Sequence, residues 1–308
     1  MSFFKKGSKG RVKKPLFMAL YSGPGLGKTD FGASFPSPYF FDFEESTHSI
    51  DVERHRPLSF EEIMDDLAEI RDCEDKLSFK SIIFDTIDEL ERLIHKQVAF
   101  DKEKASIDDI GWQKGFGLAV NKWADLISIC REIRDKHNIH FCFLAHAFES
   151  SRSEIENGLT YSRYSMALHK KAASYIFGQV EMVLFAKKDI ALKKTADDRV
   201  VAKDIDKRVL YTNLSAIYDA KNRIGLPAEL PMPQKKGFDL LWRAYMKAFN
   251  DTPETLYKQC LDEIKGVTDE TLKKQMGEYV ETNKKDLSIL RSTLQRIIST
   301  KKGAKSES

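Results

Sequence analysis

The sequence predicts an α/β fold, a mostly parallel sheet flanked by helices, with a helical C-terminal extension. Three observations predict it. Short, nearly all-apolar runs alternate with amphipathic helical stretches up to about residue 220, the pattern of strands buried on both faces and joined by helical crossovers. The first of these runs opens directly into a glycine-rich loop, Ser22-Gly23-Pro24-Gly25-Leu26-Gly27-Lys28-Thr29. Beyond Pro227, Pro231 and Pro233 only helical periodicity remains.

The elements follow in order. Leu16–Tyr21 reads as the first strand, and a helix from about Lys28 stops before Pro36 and Pro38, because residues before proline avoid helical backbone. Tyr39–Asp42 is a second strand. Ser59 and Glu62 form a capping box for a helix over 60–72, whose Ile63, Leu67 and Ile70 share a face. Ser81–Asp85 is a third strand, with Thr86 and Glu89 expected to cap the helix after it. A long helix near 114–136 leads to a strand over 139–145, and a polar stretch, 148–166, comes next. A strand over 180–185, a hairpin-like pair at 199–203 and 208–213, and a last strand near Tyr218 imply an antiparallel extension at one edge. Helices are expected over 236–249, 253–264 (opened by Thr252-Pro253), 268–282 and 285–299. In the last, Leu287, Leu290, Leu294 and Ile297 form an apolar stripe suited either to packing or to docking a partner. The expected organisation is a basic tail at 1–14, a core at 15–233, a helical extension at 234–300 and a disordered tail at 301–308.

Composition narrows the class. Of 308 residues, 42% are apolar and 31% charged, a soluble globular profile. No apolar run approaches the roughly 18 residues of a membrane span, and the opening Met-Ser-Phe-Phe-Lys-Lys lacks a signal-peptide core, so no membrane contact and a cytoplasmic location are expected. Cys73, Cys130, Cys142 and Cys260 are scattered without ligand spacing and read as reduced thiols. A net charge of +3 argues against wholesale electrostatic binding of nucleic acid. The positive charge collects in Lys5, Lys6, Lys9, Arg11, Lys13 and Lys14 and in Lys301, Lys302 and Lys305, tails able to touch phosphate backbones.

The glycine loop carries the clearest chemistry. Backbone N–H groups converge on an anion only where side chains are small, which Gly23, Gly25 and Gly27 provide. The helix starting at Lys28 points its unpaired N–H groups and positive dipole end the same way. Lys28 is placed to reach the β and γ phosphates of a nucleotide, and Thr29 to put its hydroxyl on Mg²⁺. A nucleotide-bound Mg²⁺ also needs a carboxylate at the end of a neighbouring strand, and Asp85 stands there. Asp88, in the first turn of the following helix, reads as a dipole partner. Glu44, just past the second strand, is the candidate for orienting an attacking water, with Glu45 as the alternative.

The loop at 22–29, Phe41-Asp42-Phe43-Glu44, Ile82-Ile83-Phe84-Asp85, and Ala220-Lys221-Asn222-Arg223-Ile224-Gly225-Leu226-Pro227, in this order, resemble a RecA-type P-loop NTPase core. Ser22 stands where the usual loop has glycine, and Ile224 where bacterial RadA proteins have phenylalanine. Leu144-Ala145-His146, Tyr161-Ser162-Arg163-Tyr164 and Leu168-His169-Lys170-Lys171 bring the chain nearer to the phage RecA-like ATP-binding proteins, a group that includes single-strand annealing proteins of recombination. The resemblance covers about residues 15–233 and implies ATP and Mg²⁺ as ligands. It implies Glu44 and Lys28 as catalytic residues, Lys221 and Arg223 reaching a neighbouring subunit's γ phosphate in a homo-oligomer, and His146 beside the nucleotide, where RecA has glutamine.

It further implies that the polar segment after His146 faces single-stranded DNA, through Arg152, Tyr161, Arg163, Tyr164, Lys170 and Lys171. Aromatics interleaved with cations suit that task, since bases stack on rings while cations follow the backbone. Trp112, Lys114 and Phe116 form a second candidate patch. The alternative reading is a nucleotide-gated adaptor or loader in replication whose helical tail meets a protein partner, such as a single-strand DNA-binding protein.

Overall fold

The computed structural model describes residues 10–111, 113–153, 160–194 and 200–306. Lys5, Lys6, Lys9 and Trp112 lie outside the described residues, as do the side chains of Arg152, Lys302 and Lys305. The described chain forms two compact units, one of residues 1–223 with 229–241 and one of 224–228 with 242–308. None of its helices is long and apolar enough to cross a membrane.

The first unit is the α/β fold that the sequence predicts. Its strands are β1 (Phe17–Ser22), β2 (Pro38–Asp42), β3 (Glu53–His55), β4 (Ser81–Asp85), β5 (His140–Ser153), β6 (Thr160–Met166), β7 (Met182–Lys194), β8 (Val200–Tyr211), β9 (Lys221–Asn222) and β10 (Glu229–Pro231). They join in one sheet of order β10-β8-β7-β1-β5-β4-β2-β3, with β6 paired to β5 and β9 to β7. From β7 to β3 the main path is parallel, and β8 and β10 form its antiparallel edge. Helices α1 (Lys28–Ala33), α2 (Phe60–Asp72), α3 (Ile87–Asp101), α4 (Lys114–His137) and α5 (Lys170–Gln179) connect the strands. All of β1 and β4 is buried, which is why both read as unbroken apolar runs. Gly32 of α1 lets that helix sit close on the sheet, since a Cβ there would meet Ile83 Cγ2 at 2.9 Å.

Register places the chemistry at one edge. Ser22 pairs with His146, Asp42 with Asp85, and Asp85 with Leu144. The carboxyl ends of β1, β2, β4 and the parallel part of β5 therefore deliver Ser22, Asp42, Asp85 and His146 to a common level, the crevice where open α/β sheets bind ligands.

Several expectations need correction. The described residues of the polar stretch 148–166 form a two-stranded antiparallel ribbon: β5 continues to Ser153 and pairs with β6 from Ala147↔Met166 to Ser153↔Thr160. With little of the ribbon buried, no apolar alternation marks it. Of the segments 199–203 and 208–213, residues 200–203 and 208–211 belong to one strand, β8, which pairs with β7; its charged middle, Asp204 to Lys207, reads as a turn but lies within a ladder whose register shifts between Lys188 and Ile190. Ser59 caps α2 as expected, accepting from Glu62 N at 3.1 Å, whereas Glu62 accepts from Leu58 N instead of completing the box. Thr86 does not cap α3 with its side chain, because its hydroxyl goes to Glu44.

In the second unit, α7 (Pro253–Ile264), α8 (Glu270–Thr282) and α9 (Leu287–Ser306) surround Leu256, Cys260, Ile264, Val280, Leu290 and Ile297. Helix α6 (Gly237–Asn250) is divided by residue, 237–241 belonging to the first unit and 242–250 to the second. Thr252 and Thr255 cap α7 reciprocally. The stripe of Leu287, Leu290, Leu294 and Ile297 is spent on this internal core. Helix α9 continues to Ser306, so residues 301–306, expected as a disordered tail, are helical; no proline interrupts the run. All four cysteines are free thiols, and burial pushes those of Cys130, Cys142 and Cys260 upward.

One buried carboxyl anchors the ribbon's return. Glu91 of α3 is 6% exposed, and its Oε2 accepts from His169 N at 2.8 Å, just before α5 begins. Its Oε1 lies 3.8 Å from His95 Nε2. Both atoms, with Trp123 Nε1 of α4, are buried without an ordinary hydrogen bond. Burial pushes Glu91 up to about 7, against an ordinary 4.5. Asp88 and His95 on α3 and His169 at the head of α5 face the carboxyl, and Lys170, Lys171 and Asp108 act on those histidines. The native chain thus holds a proton on Glu91 that the unfolded chain releases above about 4.5, so this contribution to stability is full below that pH and is lost as pH rises to about 7. Glu91→Gln keeps an acceptor for His169 and cannot ionise. Urea unfolding at pH 5 and pH 8 is expected to show wild type losing about 2–3 kcal/mol more than the variant over that interval; parallel pH profiles would contradict the buried-proton assignment.

Candidate functional site

The glycine loop leaves β1 at Ser22 and turns through Gly25 (φ 69°) and Gly27 (φ 89°), left-handed backbone that favours glycine, before α1 starts at Lys28. Lys28 is 7% exposed yet makes no hydrogen bond or ion pair among the described residues. Burial lowers its pKa, and the charges of Asp85, Glu44 and Asp88 oppose that shift. A buried ammonium is costly unless something anionic bonds it.

Asp85, 1% exposed, closes the floor of the site. Its Oδ2 accepts from Thr29 Oγ1 at 2.7 Å and from Ser46 Oγ at 2.8 Å. Burial raises the carboxyl, while these two hydroxyls pull it back. Asp42 holds the turn that follows β2, accepting from the backbone N–H groups of Ser46 and Thr47, each at 3.0 Å. That turn presents Glu44, whereas Glu45 is tied to Arg56.

Glu44 Oε1 accepts from Thr86 Oγ1 at 2.8 Å and lies 3.5 Å from His146 Nδ1. Asp88 binds His146 twice, at the backbone N (3.0 Å) and at Nδ1 (2.8 Å). The Asp88 bond raises the pKa of His146, against burial and the nearby Lys28. Burial pushes Asp88 up, but its bonds to His146 outweigh that and hold it below the usual range. Asp88 is thus a specific partner of His146 and more than a dipole complement.

Gly25, Lys28, Thr29, Glu44, Asp85 and His146 all line one cavity of about 360 Å³. A larger hollow of about 600 Å³ lies between the ribbon and α5, lined by Phe148, Met166, Leu168 and Phe177 among others. Convergent polar groups mark the smaller cavity as the chemical one. Its residues fit the implied ligands: the unpartnered ammonium and the glycine loop suit a polyphosphate, and the oxygen donors of Thr29 and Asp85 suit Mg²⁺.

The remaining candidates sit elsewhere. Lys221 and Asn222 pair with Val183 and Met182, at the amino end of β7, whereas Ala186 is level with Ser22. Lys221 and Arg223 are therefore remote from their own phosphate loop. Lys221 Nζ lies over the Phe177 ring at 4.9 Å, and burial, then Arg223, lowers it to about 8; Arg223 donates to Gly178 O at 3.0 Å. On the ribbon, Arg163 is engaged by Asp219 and by Ala216 O, and the Tyr164 ring is stacked on Phe185 with Lys187 Nζ 5.0 Å above it. Arg163 thus braces the ribbon against residues 216–219 and Tyr164 packs it on β7, so both side chains already have partners within the fold. Tyr161 is half-buried, and Lys170 and Lys171 are exposed, Lys171 Nζ donating to Gln113 O. In the second patch, the Phe116 ring stacks on His169 at 4.0 Å.

Two residues escaped sequence reasoning. Phe148, 58% exposed on the ribbon, is followed by Glu149, Ser150, Ser151 and Arg152, a polar run that hides its strand. Arg208 on β8 donates from Nη1 to Leu26 O at 2.8 Å, a contact that no spacing in the chain announces.

A family model described as an AAA domain matches residues 14–224. The crystal structure of the RadB recombinase is similar at a TM-score of 0.40 and 13% identity, covering 73% of this chain and 90% of that one. No curated protein matches the sequence. The AAA-domain match takes in everything from the strand before the phosphate loop to the short strand carrying Lys221, and the chain belongs to that family.

Proposed function

We propose that this chain is a RecA-like ATPase of phage DNA recombination, cytoplasmic in the host cell, that binds single-stranded DNA under ATP control and anneals complementary strands as a homo-oligomer. The observation that carries the reading is the buried, unpartnered Lys28 ammonium in a cavity shared by Asp85, Glu44 and His146.

In this reading the loop amides and Lys28 hold the β and γ phosphates, and Thr29 and Asp85 hold Mg²⁺. When bound, the cation neutralises charge on the phosphates. Glu44, fixed by Thr86, orients the attacking water and accepts its proton. Lys221 and Arg223, set away from their own loop, supply cations to the next subunit.

His146 connects the nucleotide to DNA. Its ring lines the cavity, while its carbonyl accepts from Ala167 N at 2.8 Å at the root of the ribbon. A shift of His146 between Asp88 and Glu44 is therefore felt at the ribbon's base. Among the described residues, the exposed Phe148, the half-buried Tyr161 and the cations of Lys170 and Lys171 are groups there that suit a strand of DNA, bases stacking on the rings. A single-strand DNA-binding protein is the natural partner of such an activity.

Two outcomes are expected. Lys28→Ala should weaken ATP binding about 100-fold in equilibrium titration, given about 1.5–3 kcal/mol for each charge-assisted bond lost; tight binding by the variant would remove Lys28 from the site. Arg223→Ala should retain ATP yet lose about 10³-fold in turnover, and mixing it with Glu44→Ala should restore part of the activity, as one intact interface forms from two defective subunits. ATPase assays of the mixture that show no recovery would place Arg223 outside any neighbour's site.

A further inference from the structure

The contact of Arg208 with the glycine loop has a mechanical consequence. Backbone pairing fixes Arg208 on the antiparallel edge: it stands opposite Lys188 on β7, and its carbonyl accepts from Met232 N at 2.9 Å. From there the side chain reaches past β7 to Leu26 O, using one of the five N–H donors of its guanidinium. Among the described residues no carboxylate lies within ion-pair range of it, and Asp30, which borders the same spot, makes no ion pair with it.

The Leu26 carbonyl and the Gly27 N–H belong to one planar trans peptide, so they point in opposite directions. Gly27 lines the nucleotide cavity and Leu26 does not. A guanidinium holding the carbonyl on the outer side thus turns the Gly27 N–H toward the cavity. A charge-assisted bond on the carbonyl also polarises the peptide, strengthening its N–H as a donor. The arrangement accounts for the third glycine of the loop as well. A Cβ on Gly27 would lie 2.6 Å from Arg208 Nη1, and the backbone there is left-handed. Arg208 thus adds a second positive charge to the loop that carries Lys28, held on the outer side at Leu26 O.

We infer that Arg208 is a positioning residue for the nucleotide, a cation from the same subunit that aims the Gly27 amide at the phosphates by holding Leu26 O. The inference rests on the nucleotide-binding reading above. It is tested on the full chain labelled with [¹⁵N]glycine, titrated with ATP and Mg²⁺, as wild type, Arg208→Ala and Arg208→Lys. Wild type is expected to bind ATP with a large downfield shift of the Gly27 amide. Arg208→Ala should bind about 10–100-fold more weakly, as loss of a bond to a charged group implies. At saturating ATP its Gly27 shift should collapse while those of Gly23 and Gly25 persist. Arg208→Lys should recover most of the affinity and part of the shift. An Arg208→Ala protein that binds within twofold of wild type, or weaker binding in which all three glycine shifts fall together or all persist, overturns the positioning role. Wild type that fails to bind ATP overturns the nucleotide reading itself.

Discussion

Everything at the carboxyl edge of the sheet depends on one buried ammonium. Lys28 is drawn into the protein at the first residue of α1, where Asp85, Glu44 and Asp88 act on it through space but none bonds it. Desolvation of the charge and attraction by the acids oppose each other, and burial prevails. Such an arrangement makes physical sense when an anion with several oxygens completes it. The glycine loop, with left-handed backbone at Gly25 and Gly27, supplies the matching N–H groups at the same spot.

Around that cation the acids are separated by task through their hydrogen bonds. Asp42 is consumed by the 46–47 turn, Asp85 by the hydroxyls of Thr29 and Ser46, Glu44 by Thr86, and Asp88 by His146. Helix α3 extends this order outward. Asp88 grips His146 where the ribbon leaves the sheet, and Glu91, nearly one turn later, grips His169 where the chain enters α5. The ribbon is thereby tied on both sides to the helix that follows Asp85, and the cavity and the ribbon share that helix as a support.

How far the sequence alone leads is decided by the range of each interaction. The strands β1 and β4 and the loop between β1 and α1 were legible because their determinants are contiguous: unbroken apolar runs, and glycines followed by Gly-Lys-Thr. That Asp85 and Glu44 would meet at one cavity was legible because strand ends in a parallel sheet converge. The ribbon was not, since a two-stranded element with little buried surface needs no apolar alternation. Thr86 was misread as a cap because Ser/Thr hydroxyls serve caps and distant carboxylates equally well. Arg163 and Tyr164 had the composition of a DNA-binding surface, and only tertiary packing shows them bound to Asp219 and Phe185. Arg208 and Leu26 are far apart in sequence and meet only because β8 folds back beside β7.

The most direct measurement is a crystal structure of the chain with a non-hydrolysable ATP analogue and Mg²⁺. The account predicts the β and γ phosphates wrapped by residues 23–28 with Lys28 Nζ bonded to them, the cation on Thr29 beside Asp85, and the terminal phosphate facing Glu44 and His146. A nucleotide seated elsewhere, with Lys28 still without an anionic partner, would contradict it.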